Sequence, residues 1–211
     1  MAKRPDVKIK ICGMTNAGDA VKAAQLGADA VGFIFYKKSP RAVSEKTVRE
    51  IVNQLPPFVQ RVGVFVNETA ERINTLVSRL GLDVVQLHGD ETPAFCKKIK
   101  ARTIRAVRVK DASVFEGLSA YPVSGFLLDT FHPAAYGGTG DVFDWKLAKR
   151  GKRLGPVILA GGLNSANVAQ AIRQVRPYGV DVCSGVEKEP GVKDIKKLRA
   201  FISAVRGVDQ E

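Results

Sequence analysis

The amino-acid sequence predicts a single (β/α)8 barrel of the α/β class. Three observations carry this expectation. Eight short strand patterns, each followed by a helical or turn-bounded stretch, run without a break along the 211 residues. Strands such as Asp29-Ala30-Val31-Gly32-Phe33-Ile34-Phe35 are almost continuously apolar, as strands covered on both faces are. Eight alternating βα units in this length imply a closed parallel barrel. The competing open sheet is disfavoured, since no GxGxxG follows the first strand.

The elements follow in order. In Val7-Lys8-Ile9-Lys10-Ile11 the apolar residues alternate with lysines, which is strand periodicity, and Cys12-Gly13 end the strand. A helix over 16–26 has Ala20, Ala23, Ala24 and Leu26 on one face and Gly27 as its stop. The second strand, 29–35, leads into the basic loop Tyr36-Lys37-Lys38-Ser39-Pro40-Arg41. Ser44 opens a helix that runs to about Leu55 and is stopped by Pro56-Pro57. The third strand is 61–66, and Asn67 begins a helix reaching Leu80-Gly81. The fourth strand, 83–87, ends at His88-Gly89-Asp90-Glu91, and Thr92 with Pro93 starts the next helix.

The fifth strand covers 103–109, with a weak helix over 112–120. The sixth, 125–129, precedes a long loop over 130–141 and a short helix near Trp145. The seventh, 156–160, ends in Gly161-Gly162, and Asn164 caps a helix to about Val175. The eighth, 179–182, ends in Cys183-Ser184-Gly185-Val186-Glu187, with a last helix over 192–205. No linker interrupts the chain, so 1–211 reads as one barrel domain with a short basic N-terminal extension of about six residues.

Composition narrows the function classes. Hydrophobic residues make up 45% and charged residues 26%, ordinary for a globular domain. No apolar run approaches the ~20 residues that span a bilayer, and the N-terminus lacks the apolar core of a signal peptide. The three cysteines, Cys12, Cys96 and Cys183, show no CxxC or zinc spacing. A disulfide framework is not expected, and a reducing compartment, the cytoplasm, is. Two histidines, His88 and His132, are too few for a His-built metal site, and no metal is expected. The net charge of +12 fits either a nucleic-acid binder or a basic surface that attracts an anionic substrate. The densest basic run, 146–153, has no aromatic interleaving beyond Trp145, so a small anionic partner is preferred over nucleic acid or membrane.

In a parallel barrel the chemistry gathers at the C-terminal ends of the strands. Those ends carry Cys12, the loop through Arg41, His88 with Asp90, Asp129, the glycines of Tyr136-Gly137-Gly138-Thr139-Gly140, Gly161-Gly162 and Ser184-Gly185. The late glycines suit a phosphate held by backbone N–H groups, although loop glycines also serve simply as turn formers. A free cysteine is often a small buried hydrophobe; Cys96 is assigned that packing role, and Cys183, next to the phosphate loop, could serve either role, with packing favoured. Asp129 closes an apolar strand, a costly place for a carboxylate unless it is paired or catalytic. Arg41 could be a solvated surface charge, and His88 could cap the next helix.

Together these stretches resemble the phosphoribosylanthranilate isomerase family of tryptophan biosynthesis. The resemblance rests on Lys10-Ile11-Cys12-Gly13-Met14-Thr15, Gly27-Ala28-Asp29-Ala30-Val31-Gly32-Phe33, Ser39-Pro40-Arg41, Val85-Gln86-Leu87-His88-Gly89 and Leu127-Leu128-Asp129-Thr130. It continues through the Tyr136 to Gly140 loop, Ala160-Gly161-Gly162-Leu163-Asn164 and Val180-Asp181-Val182-Cys183-Ser184-Gly185-Val186-Glu187. The family often has Ser where Ala160 stands, and a Ser pair where Cys183-Ser184 stands.

The resemblance implies an Amadori rearrangement without a cofactor. N-(5-phospho-β-D-ribosyl)anthranilate becomes 1-(2-carboxyphenylamino)-1-deoxy-D-ribulose 5-phosphate, an aldose–ketose isomerisation. It implies Cys12 as general base, Asp129 as general acid, and Arg41 with His88 as substrate-binding groups. Gly138, Gly140, Gly161, Gly162, Ser184 and Gly185 would hold the phosphate. Opening the ribose needs a proton delivered to the ring oxygen and one removed from C2, so two groups must hold opposite protonation states at one pH. The partner is then a small phosphorylated molecule, and the chain a monomer or a homodimer. Two alternatives stand beside this: the histidine-pathway aminoaldose isomerisation, which in related barrels uses an aspartate in place of Cys12, and a non-catalytic binder of phosphate compounds.

Overall fold

A computed structural model describes residues 6–130 and 144–208. Eight parallel strands, β1 (Lys8–Ile11), β2 (Ala30–Ile34), β3 (Gln60–Phe65), β4 (Val84–Leu87), β5 (Arg102–Val109), β6 (Gly125–Thr130), β7 (Val157–Leu159) and β8 (Gly179–Val182), form a closed barrel in sequence order. β8 closes on β1, with Lys10 opposite Asp181 and Ile11 opposite Val182. Helices α1 (Ala17–Leu26), α2 (Glu45–Val52), α3 (Ala70–Leu80), α4 (Pro93–Cys96), α5 (Trp145–Gly151), α6 (Val168–Val175) and α7 (Ile195–Val208) lie between strands or after the last. A two-stranded hairpin, β9 (Glu187–Glu189) with β10 (Val192–Lys193), sits between β8 and α7.

Side-chain alternation divides each strand between two interiors. Ile9, Ile11, Val31, Phe33, Phe65, Val85, Leu87, Leu128, Val180 and Val182 are buried in the main core, which they share with helix residues such as Ile51, Leu76 and Phe201. The opposite faces fill the barrel itself. Val62, Val84 and Ile104 form one small apolar cluster there, with Ala30 and Ile158 packed against it. Ala106, Leu127 and Ala160 form another. Toward the C-terminal ends the inward residues turn polar: Lys10 and Cys12, Gln86 and His88, Asp129, Asp181 and Cys183. The site is thus the continuation of the inward face of the strands.

Lys10 therefore points into the barrel, which corrects the simple amphipathic picture of β1. In a closed barrel the face opposite the isoleucines is also an interior, and Lys10 is only 5% exposed. Its Nζ bonds Asp181 Oδ1 at 2.8 Å on the neighbouring strand. Burial alone would depress the Lys10 ammonium, but Asp181 and Cys12 outweigh it and hold the group above its ordinary value. Burial pushes Asp181 up to about 6, with Lys10 opposing. For the carboxyl, loss of water therefore outweighs the gain from its partner.

Most caps follow the sequence. Asn16, Ser44, Thr69 and Thr92 each accept a hydrogen bond from the backbone N–H three residues on. Four elements differ from expectation. The third helix starts after Thr69 rather than at Asn67, which adopts φ 51° and donates its N–H to Glu91. The stretch 112–120 is two 3-10 turns, Ala112–Phe115 and Leu118–Ala120, separated by Gly117 at φ 72°. Asn164 does not cap α6 directly: its Oδ1 accepts from the Ala166 N–H in a turn ahead of the helix, which begins only after Asn167, at Val168. Val192 belongs to β10, because Asp194 accepts from the Lys196 and Lys197 N–H groups and starts α7 there.

The buried Lys10–Asp181 pair gives a stability prediction. Lys10→Met leaves a carboxyl without its partner and is expected to cost about 3 kcal/mol in urea unfolding. Lys10→Met combined with Asp181→Leu should recover most of that loss; equal loss in the single and double variants would contradict the pairing.

Candidate active site

The C-terminal mouth of the barrel opens into a cleft lined by Cys12, Ile34, Tyr36, Arg41, Val64, Val66, Gln86, His88, Asp129, Asp181 and Cys183 among others. Cys12, Asp129, Arg41 and His88, singled out from the sequence, are brought together there. Gly138 and Gly140 lie outside the described residues.

Cys12 follows β1 and extends its ladder, with its N–H donating to the Val182 carbonyl at 2.8 Å. The thiol is 5% exposed. Its sulfur is held well below the ordinary thiol range, first by a hydrogen bond from Cys183, then, against the opposing effect of burial, by the charge and hydrogen bond of Lys10 and the charge of Lys193. Cys183 moves the other way: it keeps the proton it donates to Cys12, and burial adds to the rise. Gly13 turns the chain after Cys12 at φ 73°, and a Cβ there would lie 2.8 Å from Arg41 Cδ and 3.0 Å from Cys183 Sγ. Only glycine leaves room for both.

Asp129, next to last in β6, is almost buried, at 6% exposure. Its Oδ1 accepts from the Thr130 N–H at 2.9 Å. Its Oδ2 lies 3.4 Å from His88 Nε2, out of line for a hydrogen bond. The Gln86 amide nitrogen lies 3.1 Å from His88 Nδ1 and donates to it, leaving the ring proton on Nε2, toward Asp129. His88 thus faces the acid across the cleft instead of capping α4, whose cap is Thr92.

Arg41 arrives from the loop after β2. Its fork is already engaged: Nε lies 2.9 and 3.0 Å from the Glu187 oxygens and Nη2 lies 2.7 Å from Oε2. Nη1 donates to no described residue. Glu187 also accepts from Lys193 Nζ at 2.9 Å and the Gly191 N–H at 3.2 Å. Burial raises the Glu187 carboxyl, but the Arg41 and Lys193 partners prevail and hold it below its usual range. Lys193 reaches on to the Cys12 carbonyl at 2.6 Å. One buried carboxylate therefore ties the arginine loop to the backbone of Cys12.

The phosphate-type loops meet beside this cleft. Gly161 and Gly162 have φ of 80° and 62°. A Cβ on Gly161 would lie 2.2 Å from Thr130 Oγ1, and one on Gly185 would lie 2.0 Å from the Leu163 carbonyl. The two loops pack backbone to backbone, and Ser184 opens a short 3-10 turn, Ser184–Val186. Among the described residues nothing accepts from the N–H groups of Gly161, Gly162, Ser184 or Gly185. Such N–H groups can cradle an anion.

Sequence reasoning missed Lys10, Gln86, Asp181, Glu187 and Lys193, and for Cys183 favoured packing over a role in the site. A signal was present in the parallel triplets Lys10-Ile11-Cys12 and Asp181-Val182-Cys183: once β1 and β8 are neighbours, charge meets charge and thiol meets thiol. Among the described residues, no group of three or more His, Cys, Asp or Glu is placed to hold a metal ion, and no helix is long and apolar enough to cross a membrane.

Comparison with known proteins agrees with this geometry. The family model for N-(5'-phosphoribosyl)anthranilate (PRA) isomerase matches residues 9–204. The N-(5'-phosphoribosyl)anthranilate isomerase of Pelobacter propionicus is 50% identical over 205 residues, covering 97% of this chain and 98% of that one. The crystal structure of phosphoribosyl anthranilate isomerase from Thermotoga maritima is 45% identical, covers 95% of this chain and 99% of its own, and superposes with a TM-score of 0.89. A phosphoribosyl anthranilate isomerase in complex with reduced 1-(o-carboxyphenylamino)-1-deoxyribulose 5-phosphate is 44% identical over 95% of this chain and 99% of that one, with a TM-score of 0.86.

The close approach of the two glycine loops is testable. Gly185→Ala must push the Leu163 carbonyl aside and is expected to weaken inorganic phosphate binding about tenfold by titration calorimetry, roughly 1.4 kcal/mol. Unchanged affinity would place the anion elsewhere.

Proposed function

The chain belongs to the N-(5'-phosphoribosyl)anthranilate isomerase family, and on that footing we propose how its residues divide the work of the reaction. The activity is the isomerisation of N-(5'-phosphoribosyl)anthranilate, an aldose-to-ketose step of tryptophan biosynthesis. Cys12 is the general base and Asp129 the general acid. The observation that carries this reading is that a buried thiol with cations beside it and a buried carboxyl share one cleft.

Asp129 protonates the ribose ring oxygen, and the C1–O bond opens with a positive charge developing on the anthranilate nitrogen. Cys12 then takes the proton from C2, and the electrons left behind neutralise that charge to give the enol form of the product. Ketonisation completes the rearrangement. The groups facing Cys12 set its readiness. Lys10 on β1 and Lys193 on β10 are cations, and Arg41 adds positive charge from the loop after β2. Cys183 on the β8 end donates a hydrogen bond. Asp181 and Glu187 are the opposing carboxylates, both directly paired with cations, and Asp129, as the acid, faces the thiol in its protonated form. His88, 3.4 Å from Asp129, contacts substrate beside the acid.

Arg41 binds the anthranilate carboxylate. Because Glu187 occupies Nε and Nη2, the substrate meets the remaining edge of the guanidinium rather than a free fork. The N–H groups of Gly161, Gly162, Ser184 and Gly185 receive the phosphate, with Gly138 and Gly140 contributing from the loop after β6.

A fluorescence assay of anthranilate-ribosyl substrate turnover tests the assignment. Cys12→Ala and Asp129→Ala should each lower kcat about a thousandfold or more while circular dichroism stays that of the parent protein. Parental turnover in Cys12→Ala would overturn the role of the thiol as base.

A further inference from the structure

Cys12 and Cys183 are the one place where two of the cysteines meet. β1 and β8 are paired in parallel with Ile11 opposite Val182, and the Cys12 N–H continues that ladder onto the Val182 carbonyl. The two cysteines are the next rung. Neighbouring strands run about 4.8 Å apart, within the Cα separations that a disulfide accepts. Both side chains face the same cleft, so a small oxidant that enters the cleft reaches both. The register of the two strands thus sets the two side chains next to each other. The positions beside them are glycines: Gly13 leaves space for the Cys183 sulfur, and a Cβ on Gly32 would lie 2.8 Å from the Cys12 sulfur. Cys96 is buried on α4, away from this cleft.

We propose that Cys12 and Cys183 form a dithiol modification site at the barrel mouth, which hydroperoxides convert to a reversible disulfide that shuts off the isomerase. The cations Lys10, Lys193 and Arg41 around the pair favour a thiolate, the reactive form toward peroxide. The Cys12 thiolate attacks one peroxide oxygen: an S–O bond forms, the O–O bond breaks, and hydroxide leaves. The Cys183 sulfur then attacks the sulfenic sulfur; the S–S bond forms, the S–O bond breaks, and the Cys183 proton leaves with the second oxygen as water. The two thiols are oxidised by two electrons and the peroxide is reduced to water. A dithiol reductant reverses the step by exchange. The inactivation rests on the reading of Cys12 as base; the cross-link does not.

The test uses the full chain, pre-reduced and then treated with hydrogen peroxide. Intact mass should fall by about 2 Da, and a peptide map should show the Cys12 and Cys183 peptides joined with Cys96 still a thiol. Turnover should drop at least tenfold and return with dithiothreitol. In Cys183→Ser, peroxide should oxidise Cys12 to the sulfinic acid, adding about 32 Da, and dithiothreitol should not restore turnover. A peptide map of the oxidised parent protein with Cys12 as sulfinic acid and Cys183 still a free thiol would overturn the proposal, and it needs no variant. Joined peptides with full turnover would support the cross-link and instead overturn the assignment of Cys12 as base.

Discussion

The ion pair between Lys10 and Asp181 is the constraint on which the site depends. It spans the seam where the last strand closes on the first, inside the barrel, one layer below Cys12. Two charges in that position are costly to bury, so they belong there only as a pair. The pair fixes the register of β1 against β8, which sets Cys12 beside Cys183. It also places a positive charge under the thiol. The same interaction therefore serves closure of the fold and lowers the Cys12 thiol.

Above that layer a second charged centre, Glu187, does for the loops what the ion pair does for the strands. It gathers Arg41 from the loop after β2 and Lys193 from the hairpin after β8, and Lys193 carries the connection to the carbonyl of Cys12. The arginine loop, the hairpin after β8 and the backbone of Cys12 are thus tied through one buried carboxylate. The apolar clusters lower in the barrel give this polar mouth a dry floor. In such surroundings charges act at closer to full strength than they would in water.

Much of this was legible in the sequence, and the reasons it was partly hidden are physical. The eight strands announced themselves because most are short and either apolar or alternating, with glycine, proline or a capping residue nearby. Cys12, Arg41, His88 and Asp129 could be placed because they stand at strand ends or in the loops that follow. Lys10 was hidden because alternation says which residues share a face, not whether the opposite face is solvent or a second interior; barrel closure decides that. Glu187 and Lys193 were hidden because their partners are distant in sequence, and because β9 and β10 are too short to leave a periodic pattern. The turns at 112–120 differ from the expected helix because Gly117 breaks a stretch with no sustained apolar face.

The central claim is that buried cations and the Cys183 thiol hold Cys12 ionised. A pH titration of thiolate ultraviolet absorbance, taken as the difference between the parent protein and Cys12→Ser, measures this directly. The account predicts that Cys12 titrates clearly below the ordinary thiol value of about 8.5 and that Lys10→Gln moves its midpoint upward. A midpoint at or above the ordinary value, unmoved by Lys10→Gln, would contradict it.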